Sequence, residues 1–488
     1  MYFQRLYDTR LAQAAYLIGC QKTGEAVVID PERDIDRYIR AAAENGLRIT
    51  AVTETHIHAD FLSGARELAE KTGARLYLSA EGGEEWSYRW LDAKSDGGSY
   101  DHELLSDGES FNVGKIEIRA VHTPGHTPEH LSFLVYDHGG GADEPIGIAT
   151  GDFVFVGDVG RPDLLETAAG EQGSAAPAAH ELHESLRWFD RLDPWLQVWP
   201  GHGAGSACGK ALGAIPMTTV GYEQRYNPAL RLTREGADPF VADILSGQTE
   251  PPLYFARMKQ ENREGPAILG ELPSPSHAPV DQIDRALESG AALLDTREWS
   301  EYRGAHLKGS YFVPWDNSFP TIAGSYVRPE QQIYLVLESP DDLDEMVRSL
   351  VRVGLDRVAG YATAEELRTY LEGNGTRVSE IRTTTTEGLA ATMREKDITI
   401  LDVRGASEYD EAHVRGALQL AHTRLPAGLP NLPEDPLYVH CKSGARSAIA
   451  SAWLQANGKN VTYVGGAFSE FESAGLPIES SRTEAVAG

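Results

Sequence analysis

The chain has 488 residues, of which 41% are hydrophobic and 24% are charged, so it can form about two to four globular domains and is too apolar for wholesale disorder. Its 73 acidic and 44 basic residues give a formal net charge of −29. A surface this negative repels nucleic-acid phosphates and anionic lipids, so we expect neither nucleic acid nor a membrane as a partner.

Segment length and cysteine content predict a cytoplasmic location. No apolar run approaches the roughly 20 residues needed to span a bilayer, and the first residues carry scattered charges and no signal-peptide core. The three cysteines, Cys20, Cys208 and Cys441, are too few for a disulfide framework in so long a chain. We therefore expect reduced thiols that are free for chemistry.

The first segment, residues 1–269, has strand patterns with helix patterns between them. Many strands with peripheral helices indicate a layered α/β sandwich whose functional loops lie at strand ends. The predicted strands are 12–20, 24–30, 48–55, 75–79, 115–121, 131–136 and 146–150, and the predicted helices include 34–46 and 180–192.

Histidines and carboxylates follow four of the apolar strands in this segment. Imidazole and carboxylate groups are ligands of divalent transition metals, and strand ends hold them in fixed geometry. One loop histidine alone is more often solvated, but four loops with the same strand-then-ligand order favour a metal site. His102, His138, His180 and His183 lack this context and are expected on the surface. The candidate residues are His56, His58 and Asp60, then His122 and His126, then Asp152, Asp158 and Arg161, and finally His202.

This order of motifs resembles the metallo-β-lactamase fold over nearly all of the first segment. The superfamily motif is T-H-x-H-x-D-H, and the resemblance implies a site that can hold two metal ions. Here the motif reads THIHADF, with Phe61 in the last position, and a phenyl ring cannot coordinate a metal. The substitution favours one ion and counts against a two-zinc hydrolase.

A mononuclear site in this fold resembles the persulfide dioxygenase branch. The resemblance implies that His56, His126 and Asp152 hold one Fe(II), with O₂ as co-substrate, although recombinant protein can carry zinc instead. Two histidines and one carboxylate are typical of non-haem Fe(II) oxygenases. The resemblance also implies that His58, Asp60 and His202 orient the ligands or bound water, and that Arg161 binds a carboxylate of the substrate. The alternative for Arg161 is an ordinary salt bridge within its loop.

The rest of the chain contains an internal repeat. Residues 293–310 and 400–417 share nine of 18 positions, and each copy has a helix, a buried strand, and a later strand that leads into a helix. Pro-rich residues 270–280 and polar residues 373–388 are predicted linkers. They divide the chain into domains at 1–269, 280–372 and 389–480, the last two with parallel sheets.

Cys441 lies between the strand PLYVH and a helix in the last segment. The backbone N–H groups and the positive end of the helix would stabilise a thiolate or a sulfur oxyanion there, with help from nearby cations. Together with the upstream LDVR and EY-x₃-H motifs, this strongly resembles the rhodanese family. The resemblance implies that Cys441 carries sulfane sulfur; the alternative is an inert buried thiol. The loop comprises Lys442, Ser443, Gly444, Ala445, Arg446 and Ser447.

The first copy of the repeat lacks this cysteine. Leu337 takes the position of Cys441, and the following residues are acidic, so we expect a degenerate rhodanese that packs and positions its neighbours. Cys208, six residues after His202, is either a relay thiol that faces the metal or a packed small side chain. Cys20 ends an apolar strand and is expected in the core.

Together these features predict an α/β protein with a metallo-β-lactamase αββα sandwich and two rhodanese-like domains. The expected function is Fe(II)-dependent oxidation of low-molecular-weight thiol persulfides to sulfite, coupled through Cys441 to thiosulfate formation in sulfide detoxification. Alternatives are a zinc-dependent thioester hydrolase similar to glyoxalase II with a separate sulfurtransferase, or a non-catalytic sulfur carrier or persulfide sensor. The family resemblance is compatible with a homo-oligomer.

Overall fold

The computed structural model describes residues 1–167 and 173–481. Contacts between Cα atoms divide the chain into two compact units, the first comprising Met1–Leu272 with Val351–Gly354 and the second Pro273–Leu350 with the chain from Leu355 onward. Among the described residues, no helix combines the length and apolarity that a bilayer crossing requires. The predicted division into three domains stays a prediction, and both copies of the repeat fall in the second unit.

The first unit is built on two six-stranded sheets, β1-β2-β3-β4-β5-β6 and β14-β13-β10-β9-β8-β7, with β11 and β12 as a separate pair. The strands are β1 Tyr2–Asp8, β2 Gln13–Cys20, β3 Glu25–Ile29, β4 Arg48–Thr53, β5 Arg75–Ser79, β6 His102–Leu105, β7 Ser110–Val113, β8 Ile116–His122, β9 Leu131–Asp137, β10 Gly147–Gly151, β11 Val154–Phe155, β12 Asp158–Val159, β13 Gln197–Pro200 and β14 Thr218–Thr219.

Eight helices are described in this unit. They are α1 Asp36–Glu44, α2 Ala65–Thr72, α3 Leu164–Thr167, α4 Ala175–Phe189, α5 Val220–Tyr226, α6 Pro228–Glu235, α7 Ala237–Leu245 and α8 Tyr254–Glu264.

The core of the first unit has three layers of apolar side chains. Residues of both sheets, including Ile18, Val27 and Phe133, form the central layer. Side chains of α1 and α2 pack on the outer face of the first sheet, and those of α4, α6 and α7 pack on the outer face of the second. This is an αββα sandwich, as the order of motifs predicts. Because β2 is buried along its whole length, its sequence is a continuous apolar run rather than an alternating one.

The second unit contains two five-stranded parallel sheets with the same strand order, β15-β20-β19-β16-β18 and β22-β27-β26-β23-β25. The first repeat contains β15 Ser276–His277, β16 Ala292–Asp295, β17 His306–Leu307, β18 Tyr311–Phe312, β19 Ile333–Leu337, β20 Val358–Thr363 and β21 Val378–Ser379, with α9 Val280–Glu288, α10 Trp299–Tyr302, α11 Phe319–Tyr326, α12 Leu343–Arg352 and α13 Ala364–Gly373. The second repeat contains β22 Arg382–Thr384, β23 Thr399–Asp402, β24 His413–Val414, β25 Leu418–Gln419, β26 Leu437–His440, β27 Val461–Val464 and β28 Ile478–Glu479, with α14 Thr386–Glu395, α15 Ala406–Glu411, α16 Leu425–Gly428 and α17 Ala445–Ala456.

Strand register supports the alignment of the two repeats. Asp295 lies opposite Val336 in the first sheet, and Asp402 lies opposite His440 in the second. The next residue along each strand is Leu337 in one repeat and Cys441 in the other. The first repeat therefore has a buried leucine where the second has its cysteine.

Three sequence expectations need correction. Ser276–His277 of the first predicted linker pairs with β20, and Arg382–Thr384 of the second pairs with β27, so both linkers contribute edge strands. Polarity predicts a linker for the run of threonines, but threonine is β-branched and suits a strand, and Thr383 and Thr384 lie in β22. His183 is buried against the carbonyl of Thr233, not on the surface.

Candidate functional site

Loops at the carboxyl ends of four strands form the candidate metal centre in the first unit. One nitrogen each of His56 and His126 and one oxygen of Asp152 lie within 4.8 Å of one another, and all three residues are buried. His56, His126 and Asp152 follow β4, β8 and β10, and His202 follows the fourth strand, β13. Gly151 precedes Asp152 with φ +47°, and a Cβ there would lie 2.4 Å from Oγ1 of Thr55, so only glycine lets these two loops approach so closely.

The hydrogen bonds of the two histidines leave their Nε2 atoms available for a metal. Nδ1 of His126 lies 3.1 Å from the carbonyl oxygen of Arg161, so it must carry the hydrogen of that bond. Nδ1 of His56 lies 3.0 Å from Oγ1 of Thr55. Nε2 of His126 lies 3.5 Å from Oδ2 of Asp152. Partners on the second ring nitrogen fix the tautomer and orientation of metal-binding histidines.

Asp30 is a supporting residue that the sequence interpretation missed. It is buried at the end of β3, and Oδ1 accepts hydrogen bonds from the backbone N–H of Thr55 at 2.6 Å and from Nε2 of His58 at 3.1 Å. Oδ2 accepts the hydroxyl of Thr55 at 2.9 Å. Its φ of 53° is left-handed, which is unusual for a residue other than glycine and costs backbone energy. Asp30 therefore orients both the predicted ligand His56, through Thr55, and its neighbour His58.

A second group of candidate ligands lies beside the first. Atoms of Asp60, His202 and Cys208 also lie within 4.8 Å of one another, and Nε2 of His202 is 3.3 Å from Oδ2 of Asp60 and 3.3 Å from Oδ1 of Asp152. Phe61 is buried against the ring of His58, at a centroid distance of 4.3 Å. The phenyl ring supplies no ligand, but the thiol of Cys208 can complete a second site, so Phe61 alone does not establish that only one ion binds.

Burial and neighbouring charges set the protonation of the first group. Burial and the nearby His58 hold the pKa of His56 well below its usual range, and burial lowers the pKa of His126. Burial opposes ionisation of Asp152, but His202 and the other imidazoles hold the pKa of its carboxyl well below the usual value. Neutral imidazoles and an ionised carboxylate are the forms that bind a metal ion.

The donor set fits a metal ion. Among the described residues, neither carboxylate oxygen of Asp152 has a hydrogen-bond partner, and the same holds for Oδ2 of Asp60, Nε2 of His202 and Nδ1 of His58, all buried. A buried polar atom without a partner costs about 1–3 kcal/mol. Asp152, Asp60 and His202 belong to the two candidate ligand groups, so a cation bound there would give their unpartnered atoms a partner.

Arg161, the predicted substrate-binding residue, is buried and already paired. Arg161 is 1% exposed, and its guanidinium donates to both carboxylate oxygens of Asp163 and to the carbonyl of Thr249. This is the salt-bridge alternative, and a substrate-binding role for Arg161 stays a prediction.

Burial and the nearby Asp152 raise the pKa of Cys208 to about 12, so its thiol is protonated unless a metal ion ionises it. Cys20 is buried in the sandwich core, as expected.

The cysteine loop of the second repeat connects β26 to α17. Cys441 is 2% exposed, and its Sγ accepts the backbone N–H of Gly444 at 3.2 Å. Gly444 has φ +97° and precedes the first turn of α17, so the positive end of the helix lies beside the sulfur. The backbone thus presents a hydrogen-bond donor directly to the sulfur.

The charged residues of this loop have different environments. Lys442 is exposed, whereas the guanidinium of Arg446 forms two hydrogen bonds with Glu408, at 2.5 and 3.0 Å. The positive charge of Arg446 is therefore partly neutralised. The LDVR motif has a structural role, because Arg404 donates to buried Asp402. Arg297 makes the same pair with Asp295 in the first repeat.

Comparisons with known proteins agree with the sandwich fold of the first unit and with the rhodanese-like fold of the second repeat. The Metallo-beta-lactamase superfamily profile matches residues 8–202, and the Rhodanese-like domain profile matches residues 385–474. The chain is 30% identical over 294 residues to a beta-lactamase hydrolase-like protein of Agrobacterium fabrum, covering 56% of this chain and 62% of the relative. The chain thus spans about three fifths of that relative, and also of its Xylella fastidiosa counterpart.

Two further relatives bear on the family. The chain is 27% identical over 234 residues to the human mitochondrial persulfide dioxygenase ETHE1, covering 48% of this chain and 77% of that protein. A solved structure of a metallo-beta-lactamase from Staphylococcus aureus is 38% identical with a TM-score of 0.65, covering 74% of this chain and 99% of that one. The chain therefore belongs to the metallo-β-lactamase superfamily and carries a C-terminal rhodanese-like domain.

Proposed function

We propose that the protein oxidises low-molecular-weight thiol persulfides at an Fe(II) site and transfers sulfane sulfur through Cys441. The first reaction is RSSH + O₂ + H₂O → RSH + SO₃²⁻ + 2H⁺. The second joins sulfane sulfur from another persulfide to the sulfite, giving thiosulfate. Because one chain carries both sites, their shared intermediate has a raised effective concentration.

The grouping of His56, His126 and Asp152 carries the first half of this proposal. Two neutral imidazoles and one carboxylate, with both carboxylate oxygens lacking hydrogen bonds, form the ligand set of non-haem Fe(II) oxygenases. When bound, an iron ion would supply the activation of O₂ for transfer to sulfur. The relationship to a persulfide dioxygenase supports persulfide sulfur as the group that is oxidised.

The protein's own residues position the ligands and hold the thiolate. Asp30 and Thr55 orient His56, and the carbonyl of Arg161 orients His126. At the other site, the N–H of Gly444 and the start of α17 stabilise the sulfur of Cys441. Sulfite would attack the outer sulfur of a Cys441 persulfide, releasing thiosulfate and the Cys441 thiolate.

The group formed by Asp60, His202 and Cys208 favours one alternative. If this group binds a second ion, the first unit is a dinuclear site suited to zinc-dependent hydrolysis of a thioester, and the rhodanese acts separately. A third possibility, a sulfur carrier or sensor without catalysis, has no specific support in the geometry, because the first ligand group is complete.

Metal content and O₂ consumption distinguish these functions. We expect anaerobically purified protein to contain one iron per chain and to consume O₂ only when a persulfide is added. Two zinc ions per chain with thioester cleavage and no O₂ uptake would establish the hydrolase instead. Neither activity, with sulfur still bound at Cys441, would leave the carrier function.

Two substitutions test the division of labour between the sites. Asp152→Ala should abolish O₂ uptake and leave sulfur transfer from thiosulfate unchanged. Cys441→Ser should leave O₂ uptake largely intact and change the product from thiosulfate to sulfite. Loss of O₂ uptake in a folded, iron-loaded Cys441→Ser protein would refute the assignment of oxidation to the first unit alone.

A further inference from the structure

A cavity of about 820 Å³ lies within the second unit, beside the loop that follows Cys441. Ser443–Arg446 of the second repeat form one side. Residues of the first repeat form much of the other side, including Trp299 and Trp315. The repeat that lacks a cysteine therefore supplies a wall of the cavity that adjoins the Cys441 loop.

The wall from the first repeat is partly aromatic. The ring of Trp299 lies 5.1 Å from that of Tyr463 in an edge arrangement and 5.2 Å from that of Phe312, and all three residues line the cavity. Aromatic faces attract cations, with an energy that rises as the site is desolvated.

The same wall is strongly acidic. Four carboxylates line the cavity from the first repeat, Glu298, Asp316, Glu338 and Asp342. Of these, Glu338 is paired with a cation, Arg368, at 2.8 Å. Glu298 and Asp316 are exposed and Asp342 is partly exposed, so all three present their charges to an entering molecule.

Positive groups in the cavity do not balance these carboxylates. Two guanidinium groups line it, those of Arg297 and Arg446, and each already faces a carboxylate, of Asp295 and Glu408 respectively. Burial and the nearby Arg446 lower the pKa of His422 to about 4, so that imidazole is neutral near pH 7. The far wall is therefore anionic and aromatic, while the backbone N–H groups at Cys441 suit anionic sulfur.

We infer that the first repeat selects the sulfur donor of Cys441, favouring small persulfides whose thiol carries a protonated amine over those with anionic groups. The sulfur end would lie at the loop of the second repeat and the ammonium end at the aromatic and acidic wall of the first. This inference rests on the proposed sulfur transfer at Cys441. It gives the cysteine-free repeat a role in specificity beyond packing.

The chemical step needs no metal ion and no oxidant. The thiolate of Cys441 attacks the outer sulfur of RS–SH, the S–S bond of the donor breaks, and the new S–S bond forms on Cys441. The donor leaves as RS⁻ and takes a proton from water to become RSH. Loading of Cys441 can therefore be measured under anaerobic conditions, independently of the metal centre.

Three donors of similar size, the persulfides of cysteamine, 2-mercaptoethanol and 3-mercaptopropionate, end in an ammonium, a hydroxyl and a carboxylate group. The measurement is the rate at which the intact chain gains one sulfur atom at Cys441, followed by mass spectrometry. We expect the ammonium donor to load about tenfold faster than the carboxylate donor at low salt, because each exposed carboxylate contributes a factor of a few. High salt should reduce this ratio.

Variants separate the effect of the wall from the intrinsic reactivity of each donor. In the double variant Glu298→Gln/Asp342→Asn, the ratio of ammonium to carboxylate rates should fall to about twofold, because Asp316 remains. The control Asp281→Asn removes an exposed carboxylate of the first repeat that pairs with Arg285 outside the cavity, and it should keep the original ratio.

The possible failures can be told apart. Loading by all three donors at equal rates, or the same ratio in the double variant as in the unchanged protein, would overturn the inference and leave sulfur transfer at Cys441 intact. No loading by any donor would overturn the proposed sulfur transfer itself, and the inference with it.

Discussion

Replacing Asp30 by asparagine tests whether the hydrogen bonds around the metal centre set the protonation of its ligands. The hydroxyl of Thr55 donates to Oδ2 of Asp30, so its oxygen is free to accept the Nδ1–H of His56 at 3.0 Å. That arrangement leaves Nε2 of His56 without a hydrogen and able to bind a metal. In Asp30→Asn the amide N–H₂ would donate to the Thr55 oxygen, and the hydroxyl would turn to donate to Nδ1 of His56. The hydrogen of His56 would then move to Nε2, the predicted metal-binding atom.

The expected loss of metal affinity in Asp30→Asn follows from which interactions of Asp30 asparagine keeps and which it loses. Asparagine keeps the shape of Asp30, tolerates its left-handed φ of 53°, and retains an oxygen for the bonds from the Thr55 N–H and His58. The substitution therefore costs one ligand tautomer and its orientation, together with the carboxylate charge that, against the effect of burial, raises the pKa of His58 to about 9. Loss of such a supporting partner weakens metal binding by about 10–100-fold, which corresponds to about 1.4–2.7 kcal/mol.

The assay is competition for iron against a chelator of known affinity, under anaerobic conditions, with thermal unfolding as a check on the fold. Thr55→Val removes the hydroxyl from the same chain of hydrogen bonds and should weaken binding comparably. Asp101→Asn, which removes an exposed carboxylate that pairs with Arg75, should have no effect. Iron affinity within about twofold of the unchanged protein in Asp30→Asn would refute the reasoning.

Three other substitutions test separate parts of the structure. Cys208→Ser should leave one iron per chain and most of the O₂ uptake if the site is mononuclear; halving of a two-metal content, measured by elemental analysis, would contradict this. Leu337→Cys should gain no sulfur from a persulfide in the Cys441→Ser background, since the turn that leads from residue 337 into α12 carries Asp341 and Asp342, whose charges oppose a thiolate. Sulfur at residue 337 by mass spectrometry would disprove it. Arg404→Met should lower the free energy of unfolding of the second unit by about 3–5 kcal/mol, because it leaves Asp402 buried and unpaired. Urea denaturation checks this value, and a loss below about 1 kcal/mol would show that the pair contributes little.

Much of the architecture could be predicted from the sequence because the strands that carry the ligands are buried apolar runs. β4, β8 and β10 coincide closely with predicted strands, and the candidate ligands His56, His126 and Asp152 follow them in the expected order. The repeat was also detectable, since the shared Asp, Arg, Tyr and His residues make the same buried contacts in both copies, such as the stacking of Tyr302 on His306 and of Tyr409 on His413.

Features that depend on contacts between distant segments could not be predicted. Asp30 precedes Thr55 by 25 residues, and the two meet because β3 and β4 are parallel neighbours with Ile29 opposite Thr53. Nothing in the local pattern around Asp30 indicates a site. The acidic wall beside the Cys441 loop could not be predicted either, because Glu298 and Asp342 belong to a repeat that has no cysteine and for which the sequence predicts only a packing and positioning role.

The number of metal ions depends on the environment of Cys208 more than on Phe61. With one ion on His56, His126 and Asp152, a protonated His202 can donate to Oδ1 of Asp152 or to Oδ2 of Asp60, each 3.3 Å away, and Cys208 stays a neutral thiol. A hydrogen bond of this kind, which these atoms do not make here, would satisfy the second group without a second ion. Binding a second ion would require removal of protons from both His202 and Cys208, and burial raises the pKa of that thiol to about 12. Binding one ion therefore requires no deprotonation of His202 or Cys208, whereas binding two ions requires both. This difference favours the mononuclear site.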